Sequence, residues 1–266
     1  MITVLCVGGT GETNSDDTRT QVTGMLANLI RMLPPERFRG EWVTYPGAYA
    51  YPVTYAESVQ TGARNLTRAL SSAQGRVIVV GYSQGCDVVK RALNEVLQRN
   101  AYLADKIVGV GLVADPTRPR NERTGWPAAD SAAWPTYGIA GETWIGGSSA
   151  ATLPGGVQVE SRPLTFPVWT IVAPTDPITD LPPGNALRTI FDLTEFAGRD
   201  PIVWGEALIE RAKKRQWQRW WDLANWRTWG GVIGYLRGYV WDGRHTDDYI
   251  RGGHLQRLAT LITTVK

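Results

Sequence analysis

Ser83 stands at the centre of Gly81-Tyr82-Ser83-Gln84-Gly85, a spacing that can hold a hydroxyl at the tip of a sharp turn and offer it as a nucleophile. Such a turn needs small residues on both sides of the serine, because a strand must end and a helix begin in close contact. The pentapeptide alone is also compatible with an ordinary glycine-rich turn, so its flanks carry the argument. Val77 to Val80 is a continuous apolar run, as expected of a strand buried on both faces of a parallel sheet. Downstream, Val88, Val89, Ala92, Leu93, Val96 and Leu97 recur on one face of a helix. Strand, elbow and helix in that order make Ser83 the candidate nucleophile.

A serine hydroxyl needs a base to take its proton and an acid to orient the base. In α/β-hydrolases these follow in the chain order serine, acid, histidine. Asp176 sits directly after the apolar run Val168 to Ala173, where the orienting carboxylate belongs, with Asp180 in reserve. Asp115, after the preceding apolar run, is a weaker choice because it comes one strand too early. A turn role before Pro177 is the competing reading of Asp176. Only His245 and His254 exist, both after Asp176. His245 lies in a loop that can reach over the sheet edge, whereas His254 opens a final helical pattern. His245 is favoured, with His254 kept as the alternative base. The oxyanion donors are expected to be the backbone N–H groups of Gln84 and Thr10, the second in the loop Gly8-Gly-Thr-Gly-Glu12 after the first strand. A dinucleotide reading of that loop fails because Asn14 stands where the fingerprint wants glycine, and no P-loop lysine motif is present. No metal or cofactor is expected.

The elements that must position these residues alternate in type. Ile2 to Val7, Trp42 to Tyr45, Val77 to Val80, Ile107 to Ala114 and Val168 to Ala173 read as strands, separated in the first half by helical patterns at about 22–33, 56–73 and after the elbow. Such alternation implies a parallel sheet with right-handed crossovers. The expected fold is a three-layer, cutinase-like α/β-hydrolase with about five central strands. Core boundaries are 1–181 and 242–266, with long surface loops at 119–160. Residues 182–241 read as an inserted, tryptophan-rich helical cap.

Composition sets outer limits. Over 266 residues, 43% hydrophobic and 20% charged residues are ordinary for a folded domain, so disorder is not indicated. A net charge of +3 does not argue for nucleic acid. Cys6 and Cys86 suit two small buried thiols better than a disulfide. No signal peptide is visible at the N-terminus and no apolar run is long enough for a membrane span. The expectation is a soluble product made in the cytoplasm, for which any work outside the cell would need another route out.

Tryptophan is the outlying residue type. Of 12 tryptophans, Trp204, Trp217, Trp220, Trp221, Trp226, Trp229 and Trp241 fall in the cap, interleaved with Arg211, Lys213, Lys214, Arg215 and Arg219. Packing of the indoles onto the core is favoured. Contact with a lipid interface is the alternative, since indoles and cations suit such a boundary. No nucleic-acid module accompanies the patch.

These motifs resemble those of the lysin B enzymes of phages that infect mycolic-acid bacteria, relatives of the cutinases. The resemblance rests on Gly9-Thr10-Gly11, on Gly81 to Gly85, and more loosely on Val113-Ala-Asp-Pro-Thr-Arg118. A loop histidine followed by tyrosine, His245 and Tyr249, is similar as well. The acid loop reads Thr175-Asp176-Pro177 where that family commonly has Gly-Asp. What the resemblance implies is hydrolysis of the ester joining mycolic acids to arabinogalactan, through an acyl-enzyme on Ser83, at the cell envelope during phage lysis. Other expectations left open are a generic cutinase-like lipase or thioesterase on soluble acyl esters, and a non-catalytic envelope-binding module.

Overall fold

Apolar runs without alternation can be stable only where both faces of a strand are covered. In the computed structural model, which describes residues 1–49, 52–120, 136–146, 164–183, 185, 187–188 and 243–266, three such runs form the middle of the sheet. They are β1 (Ile2–Val7), β3 (Val77–Tyr82) and β4 (Ile107–Val113). Two shorter strands flank them, β2 (Phe38–Trp42) and β5 (Val168–Ile171). The order is β2-β1-β3-β4-β5, with every neighbouring pair parallel. Parallel neighbours need crossovers over a face of the sheet, and the helices supply the two outer layers.

Side-chain alternation along β1 feeds both layers. Leu5 and Val7 join a core with α2 (Tyr55–Ser72) and α3 (Gln84–Arg99), through residues such as Leu66, Leu70, Val89 and Leu93. Val4 and Cys6 point the other way, into a core with α1 (Gly24–Met32) and the C-terminal α6 (His254–Thr263). Cys6 and Cys86 are both buried free thiols and belong to opposite cores. Burial pushes both thiols up, well away from reactive thiolate.

Helix starts are set by specific side chains. Thr54 and Glu57 form a capping box at α2, which contributes about 1 kcal/mol. Thr23 makes no side-chain cap at α1. Instead Glu12, in the loop after β1, accepts from the Met25 N–H at 2.7 Å and from the Gly9 N–H at 2.8 Å. One carboxylate therefore caps a helix and shapes the loop expected to hold an oxyanion.

Two sequence expectations need correction, and one element is added. The second strand is Phe38–Trp42 rather than Trp42 to Tyr45. As an edge strand it keeps Arg39 exposed, which hid it from an apolar-run criterion. A short helix, α4 (Ala101–Lys106), follows α3 directly and was not expected; the Asn100 side chain caps it. The 119–160 region is not all surface loop. Tyr137, Ile139 and Ile145 are buried, and Tyr137 pairs with Leu181 in an antiparallel bridge. That backbone is drawn inward by side-chain donors: Arg118 to Thr136 O at 2.8 Å, Lys90 to Thr143 O at 2.7 Å and Asn94 to Trp144 O at 3.0 Å.

The expected cap at 182–241 lies outside the described residues except for 182–183, 185 and 187–188. Among the described residues no helix is long and apolar enough to cross a membrane.

Candidate active site

The elbow is built by close approach. Ser83, the N-cap of α3, has φ 52° and ψ −124°, a conformation disfavoured for a residue with a side chain. Packing around it imposes that strain. A Cβ at Gly85 would lie 2.2 Å from the Val7 carbonyl oxygen, and one at Gly81 would lie 2.7 Å from that of Gly85. The Ser83 N–H is tied to Val113 O at 2.9 Å, so the serine stands above the C-terminal ends of β3 and β4. Such ends are where open parallel sheets place ligands.

Ser83, His245 and Asp176 come together, although 162 residues separate the first two and 69 the last two. Ser83 Oγ is 2.9 Å from His245 Nε2. His245 Nδ1 is 3.1 Å from each carboxylate oxygen of Asp176. An ionised carboxylate only accepts, so Nδ1 carries the proton and Nε2 is left to accept from the serine hydroxyl. Asp176 is fully buried and its Oδ1 also accepts from the Ile178 N–H at 3.0 Å. The loop histidine is fixed from below by Tyr82, whose hydroxyl donates to the His245 carbonyl at 2.7 Å and whose ring stacks on the imidazole at 5.4 Å. This arrangement can move a proton from a serine to an imidazole and stabilise the resulting imidazolium.

The other candidates occupy different places. His254 is the first residue of α6, its ring 5.8 Å from that of Tyr249, and burial followed by the Arg257 charge lowers its pKa. The position between serine and acid is filled by His245. Asp180 braces its own loop, accepting from Thr175 N–H at 2.9 Å and from the Thr136 hydroxyl at 2.5 Å. Asp115 is ion-paired with Lys90 and accepts from Thr117 N–H at 2.9 Å.

Around the expected oxyanion position, the loop after β1 lies against the elbow. A Cβ on Gly9 would meet Ser83 Cβ at 3.2 Å. The Gly9 and Gly11 amides are occupied by Glu12 Oε2 and Gly47 O. Between them, the Thr10 amide has no acceptor among the described residues. Thr10 is held by its hydroxyl, 3.2 Å from Gln84 Oε1, while Gln84 Nε2 donates to Ala48 O at 2.8 Å. The Gln84 amide opens α3, where the helix dipole favours developing negative charge.

Sequence reasoning missed a buried polar cluster one turn further along α3. Lys90 is 1% exposed and donates to Thr117 O at 3.0 Å and Thr143 O at 2.7 Å besides its pairing with Asp115. Asp87 accepts from the Thr117 hydroxyl at 2.6 Å and from the Tyr55 hydroxyl. These residues border a cleft of about 530 Å³ between α2 and α3 that neither Ser83 nor His245 lines. Nothing in the periodicity of α3 marks Lys90, because its anchors come from segments 27 and 53 residues away. Among the described residues no cluster of side chains suits a metal ion.

The family model described as Cutinase matches residues 3–141. That range contains Thr10, Ser83 and Gln84; Asp176 and His245 lie beyond it. Comparison with curated proteins returns no match. Among solved structures, the chain is similar to lysin B from Mycobacteriophage D29, 19% identical over 74% of each chain with a TM-score of 0.48. It is also similar to a cutinase-like protein from Cryptococcus sp., 15% identical over 75% of this chain and 96% of that one, with a TM-score of 0.43.

Proposed function

This chain belongs to the cutinase family of α/β-hydrolases, and from that premise we propose that it is a serine esterase whose nucleophile is Ser83, whose base is His245 and whose orienting acid is Asp176. The hydrogen-bonded run Ser83 Oγ, His245 Nε2, His245 Nδ1 and Asp176 supports this reading more than any other observation. His245 takes the serine proton as Oγ attacks the ester carbonyl, and the amides of Gln84 and Thr10 hold the oxyanion. The imidazolium then protonates the leaving alcohol, giving an acyl-enzyme on Ser83. Water, deprotonated by the same histidine, releases the acid. No step needs a metal or a cofactor.

The proposed substrate is a lipid ester of the mycobacterial-type cell envelope, the bond between mycolic acid and arabinogalactan, cut during phage lysis. The likeness of Gly9 to Gly11, Gly81 to Gly85 and Val113 to Arg118 to the lysin B motifs supports that choice. In this reading the protein waits in the host cytoplasm and acts once the membrane is breached. Incubating purified envelope with the protein is expected to release free mycolic acid, with none released by Ser83→Ala. Hydrolysis of soluble short-chain esters with the envelope left intact would replace this substrate by that of a generic cutinase-like lipase.

A further inference from the structure

On the reading of Asp176 as the orienting acid, we infer that Tyr249 is a positioning residue for the reaction, its phenol holding the Asp176 carboxylate in the orientation that engages His245. Tyr249 lies on α5 (Asp247–Arg251), four residues after the histidine, and is fully buried. Its hydroxyl is 2.7 Å from Asp176 Oδ2. The same oxygen accepts from the Ala173 N–H at 3.1 Å. An amide N–H cannot accept, so this second bond uses a lone pair of the phenol and leaves its single proton directed at the carboxylate.

The carboxylate needs such a director. His245 Nδ1 is 3.1 Å from both oxygens, so its own contact does not distinguish one carboxylate rotation from another. Ile178 N–H fixes Oδ1 at 3.0 Å, and Tyr249 fixes Oδ2. Burial, followed by the Asp176 charge, pushes the Tyr249 hydroxyl well above its usual pKa of 10, which keeps it a donor. Tyr249 also meets the ring of Tyr82 at 6.4 Å and that of His245 at 6.5 Å, both edge-on. The phenol thus ties the end of β5, the acid loop and the base loop into one unit.

The test is a double-mutant cycle on the full chain, with a short-chain p-nitrophenyl ester as substrate. Tyr249→Phe keeps the ring and is expected to lower kcat about tenfold with KM changed less than about twofold, since a bond to a buried charge is lost. In an Asp176→Asn background, itself lowered about 10⁴-fold, the same substitution should change kcat by less than about twofold. Wild-type kcat in Tyr249→Phe, with only the melting temperature reduced, would leave the phenol a merely structural role and overturn the inference. A further tenfold loss in the double variant would show that it does not act through Asp176. Near-wild-type activity in Asp176→Asn would instead overturn the acid assignment, and this inference with it. Should Tyr249→Phe fail to fold, 3-fluorotyrosine at position 249 keeps both hydrogen bonds while strengthening the donor. An unchanged kcat there would overturn the inference, and a changed kcat at constant KM would support it.

Discussion

His245→Ala is expected to lower kcat for ester hydrolysis by about 10⁴- to 10⁶-fold, while His254→Ala changes it by less than about threefold. The size of the first effect follows from geometry. His245 is the residue 2.9 Å from Ser83 Oγ, and no hydroxyl of ordinary acidity attacks an ester rapidly without a base at that distance. His254 instead packs its ring against Tyr249 at the start of α6, so its loss affects packing. Steady-state kinetics on a soluble ester read both variants, with circular dichroism to show that each is folded. A large loss at His254 with activity kept at His245 would reverse the assignment.

The second large effect is on stability. Lys90→Ala leaves the fully buried Asp115 carboxylate without its cation and Thr143 O without the Lys90 donor, while Thr117 O keeps the Thr143 N–H at 2.9 Å. Breaking one half of a buried ion pair costs about 3–5 kcal/mol, which for a chain of this size lowers the melting temperature by roughly 10 °C. Combining Lys90→Met with Asp115→Asn should recover part of that loss, because no uncompensated charge is left inside. A cost below about 1 kcal/mol in urea denaturation would mean that the pair is not isolated from water. Asp87 belongs to the same cluster. Although one edge faces the cleft, burial and then the Asp115 charge push its carboxyl from 3.8 up to about 7. A folded pKa above the unfolded one favours the protonated fold: the contribution is full below about pH 4 and is lost as pH rises through 7. Asp87→Asn should therefore gain stability relative to the parent between those limits.

Both predictions show where the sequence was informative. The elbow was readable because its function demands a local pattern: two glycines that allow the approach to Val7 and Gly85, a buried strand before, and a periodic helix after. Asp176 followed from chain order and its place after a late apolar run, and His245 from its loop position, since both histidines satisfy that order. The hydrogen bonds join those same residues. Features that depend on partners distant in sequence were not legible. Lys90 reads as a solvent-facing cation on α3 until Thr117, Thr143 and Asp115 are brought around it. Phe38–Trp42 escaped because an edge strand needs no continuous apolar run. Burial of Tyr137, Ile139 and Ile145 escaped because Arg118, Lys90 and Asn94 hold the backbone around them, with little apolar periodicity to announce it. Glu12, which caps α1 and shapes the Thr10 loop, looked like an ordinary loop carboxylate.

The central claim is that Ser83 is a nucleophile made reactive by His245. Its most direct test is labelling of the intact protein with a fluorophosphonate, followed by peptide mapping by mass spectrometry. The account predicts one adduct per chain, on the peptide containing Ser83, absent from Ser83→Ala and formed far more slowly by His245→Ala. A folded protein that gains no adduct at Ser83, or that hydrolyses esters undiminished after Ser83→Ala, would contradict it.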